Sequence, residues 1–137
     1  MNSVTHGGGT AEDPWVLKTP SLTSEYRAWR DGEVIHVQVG DTRLSYRAQG
    51  IEDLHAMLAS RADWVPLGNA DEGKPVAEGT VEAWGRADDN PVGGYYGLRK
   101  GYRGRFANYM APILERLGLA ELEHGPRNNR MRALPPA

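Results

Sequence analysis

Residues 25–48 read EYRAWRDGEVIHVQVGDTRLSYRA, and no other part of the chain constrains the architecture as strongly. Apolar and polar residues alternate in three runs, which is the period of a β-strand with one buried face. Asp31-Gly32 and Gly40-Asp41 separate the runs, and both pairs are typical of two-residue hairpin turns. The sequence therefore predicts a three-stranded antiparallel meander with one face in water. His36 falls on the wet face, where we interpret it as a solvated strand residue.

A helix is predicted directly after the meander, because four apolar residues recur there at helical spacing. They are Ile51, Leu54, Met57 and Leu58. Glu52 and Asp53 would occupy the first turn, where the helix dipole favours acidic side chains. This helix should cover the dry face of the meander. We expect residues 14–68 to form this unit, preceded by a flexible tail over residues 1–13.

Length and composition are those of an ordinary globular domain. The chain has 137 residues, of which 39% are hydrophobic and 25% are charged. These values exclude a wholly disordered chain, a collagen and a long coiled coil. The absence of cysteine excludes disulfides, thiolate metal sites and cysteine nucleophiles. No signal peptide or membrane-length apolar run is visible, so we expect a soluble cytoplasmic protein without membrane contact.

The net charge of −2 conceals an asymmetry along the chain. Residues 1–95 hold 8 Lys and Arg against 15 Asp and Glu, which gives −7. Residues 96–137 hold 8 against 3, which gives +5. A basic end on an acidic body suggests a site for an anion. The alternative is that the acidic and basic residues pair with each other within the fold.

The C-terminal third predicts a helix followed by a β-hairpin. An apolar stripe at helical spacing runs from Phe106 to Leu117, and Gly118 stands where a helix C-cap is expected. Two short strands, over residues 119–123 and 130–134, would flank a basic turn.

A further helix is predicted from Pro75, because proline suits the first helical position. We expect residues 69–137 to form a second unit, packed beside the first or merged with it into one compact α+β domain.

The C-terminal order of elements resembles the recognition helix and wing of winged-helix DNA-binding domains. The resemblance covers residues 105–134 and implies a winged-helix-like unit beside the meander. It implies a non-enzymatic binding module whose helix reads bases and whose hairpin contacts phosphates of a nucleic acid. The candidate residues are Arg103, Arg105 and Asn108 on the helix, Arg127, Asn128, Asn129 and Arg130 on the wing, and Arg99, Lys100 and Tyr102 for backbone contacts or stacking. Pro112 lies inside this helix and is expected to kink it.

Nearly the whole chain also resembles a group of short bacterial proteins without an assigned function. Three segments carry this resemblance: residues 13–20, residues 89–98 and residues 127–132. It implies no activity, no cofactor and no site.

Two other function classes stay open. The common catalytic motifs are missing from the sequence, yet a small anionic ligand or an enzymatic site could be held by the loop Gly93–Tyr96 with Asp88, Asp89 and nearby arginines. A protein-interaction or dimerisation module is the third reading, and an exposed apolar patch would favour it. The sequence predicts neither a metal nor a cofactor, and it leaves the oligomeric state open.

Overall fold

The computed structural model describes residues 7–68, 74–98 and 105–135. These residues form an α+β fold with two antiparallel sheets and three helices, which confirms the predicted fold class. In chain order the elements are β1 (Trp15–Lys18), β2 (Glu25–Asp31), β3 (Val34–Val39), β4 (Thr42–Arg47), α1 (Gln49–Arg61), β5 (Val65–Pro66), α2 (Val81–Arg86), α3 (Phe106–Arg116), β6 (Ala120–Leu122) and β7 (Arg130–Ala133).

The first sheet has the order β1-β2-β3-β4. Strands β2 to β4 are the predicted meander, and Gly32 and Gly40 adopt positive φ angles of 61° and 56° in its two turns. The prediction of three strands was one short, because β1 pairs with β2 from Trp15 opposite Ala28 onward. A strand of four residues is too short to show a clear alternating period.

The segment before β1 is folded against the sheet in the part that the structure describes. The backbone N–H of Arg30 donates to the Gly9 carbonyl at 2.9 Å, and Arg116 donates to the Gly7 carbonyl at 3.1 Å. The ring of Trp15 lies so close to Gly9 that a β-carbon there would come within 2.3 Å of it. Residues 1–6 of the predicted tail lie outside the described residues.

The apolar stripe of helix α1 is buried, as its spacing predicts, and it shares the main core with α3, which contacts Tyr26 and Tyr46 on the inner face of the first sheet. Ile51, Leu54 and Leu58 are at most 2% exposed. The helix ends at Ala62, which adopts a left-handed conformation and returns its N–H to the Leu58 carbonyl. The main core therefore forms between α1, α3 and the inner faces of the strands.

Helix α2 begins later than the sequence predicts. The expected start at Pro75 was wrong, since the helix runs from Val81 to Arg86. Gly79 has a φ of 80° and interrupts any helix upstream. Thr80 then caps α2, because its hydroxyl oxygen accepts from the Ala83 N–H at 3.1 Å.

Helix α3 lies inside the molecule. All nine residues from Phe106 to Leu114 are buried, and the Tyr26 hydroxyl donates to the Tyr109 carbonyl at 2.7 Å. A recognition helix needs an exposed face that can enter a DNA groove. The described residues therefore give the winged-helix interpretation no support. The helix continues through Pro112 to Arg116.

The predicted C-terminal hairpin is confirmed, because β6 pairs antiparallel with β7. The sheet also takes in β5 on the other side of β7, with Val65 opposite Met131. This second sheet therefore joins strands from both sides of the boundary predicted at residue 68. The division into two units stays a prediction.

A buried carboxylate on α2 joins that helix to the start of α3. Arg105 precedes α3 in a left-handed conformation and offers no side-chain cap. The fully buried carboxylate of Glu82 accepts instead from the Ala107 N–H at 2.9 Å, and it pairs with Arg86 at 2.9 Å. Burial raises the pKa of Glu82, while the Ala107 N–H and the charge of Arg86 oppose that rise.

We predict that Gly85→Ala destabilises the protein by about 1–3 kcal/mol, the usual cost of overpacking a core. A β-carbon at Gly85 would lie 2.6 Å from the ring of Phe106. Urea unfolding of Gly85→Ala, Phe106→Leu and the double variant measures this. The double variant should lose less stability than the sum of the two single changes, and strictly additive losses would contradict the contact.

Candidate functional site

A cavity of about 730 Å³ opens beside the second sheet. The turn between β6 and β7 forms one side, and the segment that leads into α2 forms another. The loop between β1 and β2 and the end of β5 complete the walls. The lining residues are Pro20, Ser21, Pro66, Leu67, Gly68, Pro75, Val76, Ala77, Thr80, Asn108, Pro126, Arg127, Asn128, Asn129 and Arg130.

Five residues that the sequence singled out meet at this cavity. They are Asn108, Arg127, Asn128, Asn129 and Arg130. Arg105 stands at the start of α3 and is not among the lining residues. Arg99, Lys100, Tyr102 and Arg103 lie outside the described residues. Four residues of the predicted wing and Asn108 of the predicted helix therefore line the same cavity.

Asn108 is the distinctive polar group of the cavity. It is 7% exposed, and its side-chain amide has no hydrogen-bond partner among the residues that the structure describes. A buried amide that neither protein nor solvent satisfies costs about 1–3 kcal/mol. Pro112 has no N–H, so the Asn108 carbonyl also lacks its usual intrahelical donor. The cavity therefore contains hydrogen-bonding capacity that the folded chain does not use.

Asn129 differs from Asn108, although it is similarly buried at 9% exposure. Its amide donates to the Gly125 carbonyl at 2.9 Å and accepts from the Gly125 N–H at 2.7 Å. Its own carbonyl accepts from the Leu67 N–H at 3.0 Å. Asn129 therefore shapes the hairpin turn and ties it to β5.

The two arginines of the turn have different environments. Arg130 binds Glu123 through two nitrogens, at 3.0 and 2.7 Å, and it lies 5.2 Å from the ring centre of Trp64. Hydrogen bonding to Arg130 lowers the pKa of Glu123. Arg127 is exposed, and its side chain has no ion pair among the described residues. Arg127 is thus the available cation at the rim.

The opposite wall is held close by Gly68 and Thr80. Gly68 has a φ of 69°, and a β-carbon there would lie 2.3 Å from the Thr80 hydroxyl oxygen. That hydroxyl donates to the Ala77 carbonyl at 2.7 Å and is the cap of α2. These contacts hold Gly68, Ala77 and the start of α2 close together in this wall. No short sequence motif links Gly68 to Thr80.

His124 joins three elements next to the cavity, and sequence reasoning missed this role. Its Nδ1 lies 2.9 Å from the Pro20 carbonyl, and its Nε2 lies 2.6 Å from a Glu115 carboxylate oxygen. Both partners accept hydrogen bonds, so only a ring protonated on both nitrogens satisfies them together. Partial burial would lower the pKa of His124, but these hydrogen bonds and the charge of Glu115 raise it overall.

The loop Gly93–Tyr96, the alternative site in the sequence, packs against the core. Tyr96 is fully buried, stacks on Trp84 at 5.2 Å and donates to Asp53 at 2.9 Å. The Asn90 amide donates to the Gly94 carbonyl at 2.7 Å and accepts from the Gly94 N–H at 3.2 Å. These contacts assign the loop a structural role.

A family model matches residues 7–134, nearly the whole chain. The chain belongs to the DUF6855 family, a family of unknown function. This membership confirms the predicted likeness to proteins without an assigned function, while a bacterial origin stays a prediction. Comparison with curated proteins and with solved structures gives no match. Within the described parts of this DUF6855 chain, no helix is long and apolar enough to cross a membrane.

The contacts of His124 predict a pH-dependent contribution to stability. Because the folded pKa of His124 is raised, its stabilising effect is present below the unfolded pKa and is lost as pH rises through the folded value. His124→Gln should therefore cost more stability at about pH 5.5 than at about pH 8.5. Urea unfolding of both proteins at the two pH values measures the difference. Glu115→Gln is the control and should remove most of that pH dependence, whereas an equal cost at both pH values would contradict the assignment.

Proposed function

We propose that the protein is a non-enzymatic binding module that takes a small organic anion into the cavity beside the second sheet. The unpartnered amide of Asn108 carries the proposal, since it is a buried polar group that only a bound molecule or solvent could satisfy. Arg127 at the rim supplies the charge complement. The volume of about 730 Å³ lies within the usual range for small-molecule sites.

The lining residues define the chemistry of the ligand. The Asn108 amide offers both a donor and an acceptor, which complements an amide or a similar neutral edge. The Arg127 guanidinium suits a carboxylate or a phosphate. Between them, Val76, Ala77 and the proline rings offer apolar surface to a carbon skeleton. The expected ligand therefore joins a neutral amide-type group to an anionic group through an apolar part.

Binding is favoured over catalysis by the nature of these groups. A carboxamide and a guanidinium neither attack a substrate nor exchange protons near neutral pH. The Thr80 hydroxyl, which could act as a nucleophile in another setting, is engaged with Ala77 and Ala83.

Contact between the hairpin and duplex DNA, the function implied by the winged-helix resemblance, has no support from the described residues. The first nine residues of helix α3, which would have to expose base-reading side chains, are buried. Arg130 is engaged by Glu123.

Ligand binding can be measured with three matched probes: N-acetyl-leucine, its uncharged amide and 4-methylpentanoate. The first probe has the amide, the anion and the apolar part, and each of the others lacks one polar group. In amide and side-chain NMR spectra we expect N-acetyl-leucine to perturb the signals of Asn108 and Arg127 most strongly. Arg127→Ala should weaken its binding without changing the unfolding free energy. Equal responses to all three probes would contradict the proposed polar contacts.

We also predict that Asn108→Leu stabilises the empty protein by about 1 kcal/mol and abolishes binding of N-acetyl-leucine. The variant removes an unsatisfied buried amide and keeps a similar volume. Asn129→Leu is the matched control, because it breaks two hydrogen bonds to Gly125 and should destabilise the protein. Urea unfolding with and without the probe measures both effects. A loss of stability in Asn108→Leu as large as that in Asn129→Leu would contradict the unpaired state of Asn108.

A further inference from the structure

The outer face of the first sheet carries a preformed stack of flat side chains. Trp29 on β2 and His36 on β3 face each other across the strands, with ring centres 5.4 Å apart. The Arg43 guanidinium on β4 lies 4.8 Å from the ring centre of Trp29. The face as a whole points away from the core, because its residues are the partly or fully exposed members of each alternating strand.

Neighbouring side chains hold this stack in place. The Arg43 Nε donates to the Gln38 side chain at 2.7 Å, and Gln38 in turn donates to the Gly40 carbonyl at 2.7 Å. Ser45 lies 3.3 Å from the His36 Nδ1. The stack is therefore ordered by hydrogen bonds and does not depend on a ligand for its shape.

Exposed Lys and Arg side chains surround the stack, and three of them have no partner among the described residues. Lys18, Arg27 and Arg47 are exposed, and their side chains have no ion pair or hydrogen bond within the described ranges 7–68, 74–98 and 105–135. The acids of the same face are Glu25 and Asp31, and Asp31 lies 4.0 Å from the His36 Nε2. Together with Arg43, this face therefore carries four Lys and Arg residues and two acids, whereas the whole chain has a net charge of −2.

We propose that this outer face binds single-stranded nucleic acid. Unpaired bases stack on aromatic rings and on guanidinium planes, and the surrounding cations neutralise the phosphates. Arg27 on β2 lies level with Arg43 on β4, two strands away, and Arg47 lies four residues further along β4. Standard strand spacing and rise per residue then place the Cα atoms of Arg27 and Arg47 roughly 16 Å apart. They can therefore hold the backbone on both sides of bases that stack at Trp29.

A single strand fits this surface better than other polyanions do. A duplex keeps its bases paired and cannot use the rings, while an acidic peptide has no bases to stack on them. None of these residues lines the cavity beside the second sheet, so this proposal is independent of the proposed ligand-binding function.

The test is fluorescence anisotropy with a labelled 12-mer of deoxythymidine and a labelled duplex of the same length, at about 50 and 200 mM salt. We expect the single strand to bind more tightly than the duplex and to lose affinity as salt rises. Trp29→Leu should weaken binding by about ten-fold or more, in line with the loss of one stacked base. Arg27→Ala with Arg47→Ala should lower the magnitude of the salt slope by about 1.4, because each phosphate contact to a single strand contributes about 0.7.

Arg127→Ala is the matched control, since it removes an exposed arginine from the cavity and should leave oligonucleotide binding unchanged. Circular dichroism checks that each variant is folded, and the arginine double variant keeps the test valid if Trp29→Leu does not fold. The proposal is overturned if the single strand fails to bind at low salt or if the duplex binds as tightly. It is also overturned if Arg127→Ala weakens binding as much as the two sheet substitutions.

Discussion

The buried carboxylate of Glu82 organises both the core and the cavity. Helix α2 has six residues, too few to be stable alone in water. Helix α3 starts without a cap of its own. Glu82 accepts from the N-terminus of α3, and its partner Arg86 also donates to the Lys74 carbonyl at 2.9 Å. The two residues of this pair therefore connect α2 to α3 through Ala107 and to the wall of the cavity through Lys74. Removal of Arg86 would leave the buried carboxylate without its countercharge.

The position of α3 explains why an unsatisfied polar group survives next to the core. Its apolar residues pack on all sides, so the helix cannot rotate to bring Asn108 to the surface without exposing Phe106 or Met110. Asn129 shows that the same side chain can be fully used nearby, where Gly125 offers both a donor and an acceptor. A protein of this size is stable by only about 5–15 kcal/mol. An amide that neither protein nor solvent satisfies costs about 1–3 kcal/mol, a sizeable share of that total, and the proposed ligand would offset this cost at Asn108.

Regular periods in the sequence predicted the regular parts of the fold. Strands β2 to β4, helix α1 and the C-terminal hairpin follow from alternation and helical spacing over six residues or more, or from a clear turn. Strands β1 and β5 have four and two residues, and nothing local indicates their partners. The start of α2 depends on Gly79 and Thr80, whose conformational preferences compete with that of Pro75. Five predicted site residues share one cavity, but only tertiary structure separates the paired Asn129 from the unpaired Asn108.

A charge count along the chain does not show which of its cations are already paired in the fold. The C-terminal segment is basic in sequence, yet Arg132 pairs with Glu121 on β6 and Arg130 pairs with Glu123, the residue after β6. These pairs form because β6 and β7 are adjacent, and opposite charges across strands attract. The first sheet belongs to the acidic part of the chain, but most of the acids of that part lie outside its strands. Arg27 and Arg47 consequently have no partners among the described residues. Net charge per segment therefore predicts an anion site only after the paired charges are subtracted. Among the described residues, Arg127 and the outer face of the first sheet still offer unpaired cations after that subtraction.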